Sequence, residues 1–192
     1  MLKIVEIFYS IQGEGKFSGY PCVFVRLHGC NLDCSFCDEP LHKGAYETFT
    51  CKEVLKQIKK YPTKHVVITG GEPSLNDINE FIDMLHFEGL HIAVETNGYR
   101  FENIKNADHI TYSPKDLNSL HVEGFSEYKF VVEVDSDIEK IISIKSQIPI
   151  YIQPINFKDS VNKVNTDFCI ELVKKYPHFR LSVQLHKYLG IE

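Results

Sequence analysis

Three cysteines fall within eight residues of this chain, in Cys30-Asn31-Leu32-Asp33-Cys34-Ser35-Phe36-Cys37. Three residues separate the first two thiols and two separate the last two, so one loop can wrap them around one metal centre. A four-iron cluster usually takes four cysteinates. Three leave one iron without a protein ligand, and an iron with an open position can bind and activate a small molecule. The other reading is zinc, but a structural zinc site normally takes a fourth Cys or His and often two separated pairs, whereas this is a single triplet. Cys22, Cys51 and Cys169 stand alone in strand or helix patterns and read as small apolar fillers. Were one of them a fourth ligand, the site would be a plain electron carrier.

Such a loop needs a scaffold. Strand-length runs of β-branched and aromatic residues recur at 4–9, 22–27, 65–69, 91–95, 109–112, 128–134, 150–153 and 181–185. Helical patterns lie between several of them. Thr50-Cys51-Lys52-Glu53 has the form of a capping box leading into Val54, Leu55 and Ile58, and 77–87, 137–146 and 165–175 carry apolar residues at helical spacing. This alternation predicts an α/β fold of parallel strands joined by right-handed crossovers. A complete eight-fold barrel takes about 250 residues. A chain of 192 is expected to form an incomplete, partial TIM-type β/α barrel, with a doubly wound open sheet as the alternative. Residues 1–192 read as a single domain. Polar and Gly-rich signatures follow the strands, where barrel sites are built: the cysteine loop, Gly70-Gly71-Glu72-Pro73, Thr96-Asn97-Gly98, Ser113-Pro114-Lys115, Gln153-Pro154-Ile155-Asn156, and Gln184, His186 and Lys187.

Composition narrows the function classes. A formal charge of -5, from 26 acidic and 21 basic residues, offers no attraction to a polynucleotide, and no Lys/Arg-rich run appears. No apolar run approaches the roughly 20 residues that span a bilayer, and the first residues lack the apolar core and small-residue cleavage site of a leader. A cytoplasmic protein is expected, without membrane or nucleic-acid partners. In that compartment clustered cysteines are metal ligands or catalytic thiols rather than a disulfide framework.

The CxxxCxxC loop of Cys30, Cys34 and Cys37 resembles that of the radical S-adenosylmethionine (SAM) superfamily. There, the amino and carboxylate groups of SAM chelate the open iron of a 4Fe-4S cluster, which passes an electron to the sulfonium and releases a 5'-deoxyadenosyl radical. Gln12-Gly13-Glu14-Gly15, Arg26-Leu27-His28-Gly29-Cys30, Phe36-Cys37-Asp38, Thr69-Gly70-Gly71-Glu72-Pro73, Glu95-Thr96-Asn97-Gly98, Ser113-Pro114-Lys115 and Gln184-Leu185-His186-Lys187-Tyr188 narrow the match. In this order they resemble the 7-carboxy-7-deazaguanine synthase family. The resemblance implies a homodimer that converts 6-carboxy-5,6,7,8-tetrahydropterin to 7-carboxy-7-deazaguanine in queuosine-precursor biosynthesis. Hydrogen is taken from C6, the ring contracts, ammonia leaves and SAM is regenerated. Mg2+ assists, and reduced flavodoxin or ferredoxin charges the cluster.

Residue roles follow from the same resemblance. Gly71 and Glu72 meet the SAM amino group. Phe36, Cys37, Asp38, Ser113, Pro114, Lys115, Gln153, Pro154, Ile155 and Asn156 line the rest of SAM. For Pro114 and Pro154 a conformational role is equally open. Ile11, Gln12, Gly13, Glu14, Arg26 and Thr69 contact substrate; a buried structural ion pair is the alternative for Arg26, and plain solvation for Glu14. Glu39 occupies the position where the family commonly has a hydroxyl contacting Mg2+, and a carboxylate is a competent ligand. His28, His65, His91 and His109 carry no ligand spacing and read as structural. The terminal residues 189–192 are implied to lie near the site. Two further readings are a glycyl-radical-enzyme activase, which shares the cysteine loop, and a ferredoxin-like electron carrier.

Overall fold

The computed structural model describes residues 1–121 and 123–191. Strand β1 (Leu2–Ile11) pairs antiparallel with β2 (Pro21–Leu27), with Phe8 opposite Phe24, and β3 (Glu47–Phe49) joins the outer side of β1. Six strands then follow β2 in parallel: β4 (His65–Gly70), β5 (His91–Thr96), β6 (His109–Tyr112), β7 (Glu127–Val132), β8 (Ile150–Pro154) and β9 (Phe179–Leu181). Among the described residues the order β3-β1-β2-β4-β5-β6-β7-β8-β9 is one nine-stranded sheet whose ends do not pair. It is the incomplete barrel expected from the chain's length.

Helices α1 (Cys51–Ile58), α2 (Asn79–Phe87), α3 (Ile138–Ile142), α4 (Lys163–Lys175) and α5 (Leu185–Leu189) complete the fold. The capping box is present: Glu53 N donates to Thr50 Oγ1, and Thr50 N donates back to the Glu53 carboxylate at 2.7 Å. Strand periodicity divides the interior in two. Val66 and Ile68 of β4 join the main core with Phe81, Ile82 and Leu85 of α2, whereas Val67 faces the concave side with Cys22 and Ala93. The concave apolar cluster is small because polar side chains occupy most of that face.

The connection between β1 and β2 folds across this concave side. Phe17 lies 4.8 to 6.0 Å from the rings of His65, His91 and His109, the first residues of β4, β5 and β6, and together they form a floor.

Three elements depart from expectation. The last strand is Phe179–Leu181 rather than 181–185, because Ser182 turns inward to donate to Gln153 Oε1 at 2.7 Å, and Leu185 opens a helix. The third helix is five residues long and stops where Ser143 Oγ bonds back to Lys140 O at 2.7 Å. Strand β3 was not anticipated; three largely exposed residues give no readable period.

Candidate active site

The C-terminal ends of the parallel strands open onto a cavity of about 470 Å3. Cys30, Cys34 and Cys37 line it from the loop after β2, all as free thiols. Leu32 N lies 3.4 Å and Asn97 Nδ2 3.9 Å from Cys30 Sγ, so N–H donors face the sulfur as they would a thiolate. Burial pushes the Cys30 thiol up, and Glu72 with the neighbouring thiols adds to the effect, so the thiolate calls for a metal's positive charge. Among the described residues no three His, Cys, Asp or Glu side chains converge on a single ion. A structural zinc site would take a fourth Cys or His, whereas three thiolates on one short loop would hold a four-iron cluster and leave one iron open to a small molecule. The residues fit a 4Fe-4S cluster.

The turn ending β4 is laced to the root of this loop. Gly71 N donates to Leu27 O at 3.0 Å and Glu72 N to Gly29 O at 2.8 Å. A Cβ on Gly71 would stand 1.9 Å from Gly29 O, and Gly70, with φ +131°, would place one 2.1 Å from Leu27 O. Only glycine lets the two segments approach this closely. The Glu72 carboxylate is buried. Its Oε1 accepts from Ser74 N at 2.9 Å, Ser74 Oγ at 2.7 Å and Thr96 Oγ1 at 2.5 Å, and its Oε2 from Asn97 N at 2.6 Å. Glu72 thus ties the ends of β4 and β5 together, with Oε2 the less engaged oxygen.

A charged wall stands opposite. Lys129 Nζ lies 2.5 Å from Glu14 Oε2 and 2.6 Å from Glu95 Oε2. Gln12 Nε2 donates to Glu95 Oε1 at 3.2 Å and Gln184 Nε2 to Glu14 Oε1 at 3.0 Å. Asp38, next to the third cysteine, accepts from Gln184 Nε2 at 2.7 Å and Lys187 Nζ at 2.9 Å. Burial works to raise the Asp38 carboxyl, but these two donors outweigh it and hold it below the ordinary range. Burial likewise keeps His186 low, so its ring is neutral near pH 7. Arg26 Nε pairs with Glu6 Oε1 at 2.6 Å and its Nη1 with Glu39 Oε2 at 3.2 Å, while Glu39 Oε1 accepts from Leu41 N at 2.9 Å.

Of the expected site residues, Ile11, Gln12, Glu14, Arg26, Thr69, Phe36, Asp38, Glu39, Gly71, Glu72, Ser113, Lys115 and the 153–156 segment line the same cavity as the cysteines. Gly13 and Pro114 are not on its wall. Gly13 O accepts from Leu185 N at 3.0 Å and a Cβ there would meet His186 Nδ1 at 2.5 Å, so the bare Gly13 backbone seats α5. Ile191 reaches the cavity; Glu192, part of the terminal segment expected nearby, lies outside the described residues. Sequence reasoning gave no role to Glu95 and Lys129. Their signal was a charge set between apolar neighbours in a central strand, which is rare unless paired.

The radical SAM superfamily model matches residues 24–149. A Bacteroides thetaiotaomicron protein named 7-carboxy-7-deazaguanine synthase is 40% identical over 194 aligned residues, covering 100% of this chain and 99% of that one. This chain belongs to the 7-carboxy-7-deazaguanine synthase family. A synthase of that name from Haemophilus influenzae is 32% identical, over 98% of this chain and 93% of its own. The crystal structure of QueE from Escherichia coli matches with a TM-score of 0.80 at 28% identity, over 96% of this chain and 94% of that one. Membership of the synthase family brings with it a radical SAM enzyme carrying a 4Fe-4S cluster and SAM, and disfavours the activase and electron-carrier readings. Among the described residues no helix is long and apolar enough to cross a membrane.

Proposed function

We propose that this enzyme converts 6-carboxy-5,6,7,8-tetrahydropterin to 7-carboxy-7-deazaguanine with loss of ammonia, in the biosynthesis of 7-deazapurines. One observation carries the reading: three free thiols, the glycine turn after β4 and a wall of Gln12, Glu14, Arg26 and Thr69 share one cavity. When bound, the cluster and SAM supply a carbon radical that takes a hydrogen atom from the substrate and later returns it.

The chain's own side chains do the rest. Cys30, Cys34 and Cys37 hold the cluster. Gly71 offers SAM a close backbone approach and Glu72 Oε2 an acceptor for its ammonium, while Phe36 to Asp38, Ser113, Lys115 and Gln153 to Asn156 enclose the remainder. Phe8, Ile11 and Phe24 give a flat heterocycle an apolar wall that excludes water, and Gln12 and Glu14 match its donor and acceptor edges. Arg26 suits the substrate carboxylate bidentately. Mg2+ would take a carboxylate oxygen of Glu39, which becomes available when Arg26 turns from Glu39 to the substrate. The same reading includes a reduced flavodoxin or ferredoxin as electron donor, a homodimeric state and a cytoplasmic location, where a cluster on accessible thiols stays reduced.

The test is anaerobic turnover of reconstituted protein with SAM, dithionite, Mg2+ and the pterin, followed by mass spectrometry. Formation of 7-carboxy-7-deazaguanine that is abolished by Cys30→Ala, Cys34→Ala or Cys37→Ala is the expected result. 5'-Deoxyadenosine without that product would leave a radical SAM enzyme with a different substrate.

A further inference from the structure

Lys129 stands in the middle of β7 with 5% of its surface exposed, and its ammonium touches carboxylates from two distant parts of the chain. Oxygens of Glu14 and Glu95 that both contact one nitrogen are no more than about 5 Å apart. Among the described residues neither carboxylate forms another ion pair; their remaining oxygens accept only amide N–H groups, from Gln184 and Gln12. Two carboxylates this close cannot both stay ionised in a largely buried site without the cation between them. The chain has built the pair from the loop after β1 and from β5, and the one countercharge from β7.

We propose that Lys129 is a positioning residue that keeps Glu14 and Glu95 ionised and fixed as a paired acceptor wall for the N–H-rich edge of the substrate, a 2-aminopyrimidinone-type ring. This rests on the function proposed above and adds how the ring is recognised. A carboxylate accepts two parallel N–H bonds from an amino-amide edge much as it does from a guanidinium, and each oxygen of Glu14 and Glu95 keeps lone-pair capacity beyond its present partner. Lys129 acts through the two carboxylates.

The electrostatics agree in direction. Burial works to raise both carboxyls; at Glu14 the Lys129 charge outweighs it and the group stays low, while Glu95, which also faces Glu14 and Glu127, is held above the ordinary range. Other charged groups face the trio from around it. Asp38 of the cysteine loop adds negative charge beside Glu14, and Lys115 after β6 adds positive charge. From α5 come Lys187, which is bonded to Asp38, and neutral His186. Cys22 on β2, beside Glu95, is a buried neutral thiol. Glu95 is therefore the group that takes a proton first as pH falls.

The experiment compares wild type, Lys129→Met and Lys129→Arg as cluster-loaded enzymes, measuring kcat and KM for the pterin between about pH 5 and 9. Lys129→Met is expected to raise KM about tenfold at neutral pH and to move the acid limb of kcat/KM upward by about one pH unit or more, with kcat falling less. Lys129→Arg keeps the charge and the wild-type limb. A second measurement needs no substrate: thermal melting across the same range. The melting point of Lys129→Met should fall further below wild type as pH rises, because both carboxylates then ionise without their cation. The double variant Glu95→Gln/Lys129→Met should lessen that dependence, since only Glu14 then ionises without its cation, and it provides a folded protein if Lys129→Met alone does not fold. An acid limb in Lys129→Met at the wild-type position, or a melting difference that is constant with pH, overturns the proposal. If wild type makes no 7-carboxy-7-deazaguanine, the substrate reading falls, and the melting comparison still decides whether Lys129 holds the two carboxylates.

Discussion

Gln184 Nε2 donates to Asp38 Oδ2 at 2.7 Å, joining the residue ahead of the last helix to the residue beside the third cysteine. Lys187, on that helix, adds a second donor to the same oxygen at 2.9 Å. The end of the fold thereby sets the position of the cluster-bearing loop. A hydrogen bond to a charged group contributes about 1.5–3 kcal/mol, so Lys187→Met is expected to weaken SAM binding about tenfold, measured by anaerobic calorimetry on reconstituted protein. Wild-type affinity in that variant would mean the loop holds its shape without α5.

Gly71→Ala tests the lacing between the β4 turn and the cysteine loop. The added Cβ would stand 1.9 Å from Gly29 O, a backbone atom, so the two segments must separate. Overpacking of this kind costs about 1–3 kcal/mol, and about 2–4 °C of melting point accompanies each kcal/mol in a chain of this size. A lowered melting point together with weakened SAM binding is the expected pair of results; SAM binding at wild-type strength would detach the turn from the cofactor.

The isolated cysteines predict an alkaline limit. Burial pushes the thiols of Cys22 and Cys169 from an ordinary value near 9 up to about 12. A raised thiol keeps its proton in the folded state while the unfolded chain loses it. The stability this gives is complete below about pH 9 and is lost as pH rises from there toward 12. Cys22→Ala/Cys169→Ala should be less stable than wild type at pH 7, through lost packing, yet lose less further stability by pH 10. Equal losses for both proteins in chemical denaturation would show that other groups control the alkaline limb.

Glu39→Ala removes the carboxylate that now faces Arg26. With Glu39 as the Mg2+ ligand, the Mg2+ concentration giving half-maximal rate should rise about tenfold or more, and Glu39→Thr, a neutral hydroxyl donor, should recover part of the loss. An unaltered Mg2+ requirement in Glu39→Ala would assign Glu39 to the ion pair with Arg26 alone.

Much of this architecture was legible in the chain. The alternation of β-branched runs with capped helical patterns gave the parallel sheet, since crossover helices leave long continuous apolar strands between them. The cysteine spacing marked the site because three thiols in one short loop have few uses other than holding a metal centre. What escaped was tertiary in origin. Ser182 leaves the strand pattern for a hydrogen bond with Gln153, a partner 29 residues away that no local period reveals. Lys129 meets Glu14 and Glu95 from 115 and 34 residues away, a convergence that no local pattern carries. The packing of α5 against Gly13, where a side chain would meet His186, was equally out of reach of any local pattern.

The unpaired ends of the sheet leave an enzyme fastened by a clasp. Gly15 N on Ser182 Oγ at 3.1 Å and Leu185 N on Gly13 O at 3.0 Å bridge the gap that a ladder of strand pairs would otherwise fill. A ladder must be unzipped bond by bond, but these contacts, with the side-chain bonds of Gln184 and Lys187 to Glu14 and Asp38, form one small cluster that can open as a unit. Gln12 and Glu14 stand on one side of that clasp, Gln184 and Lys187 on the other. A molecule that spans them adds its own binding energy to holding the fastening shut. Such a molecule would take the place of a strand ladder between the two ends of the sheet.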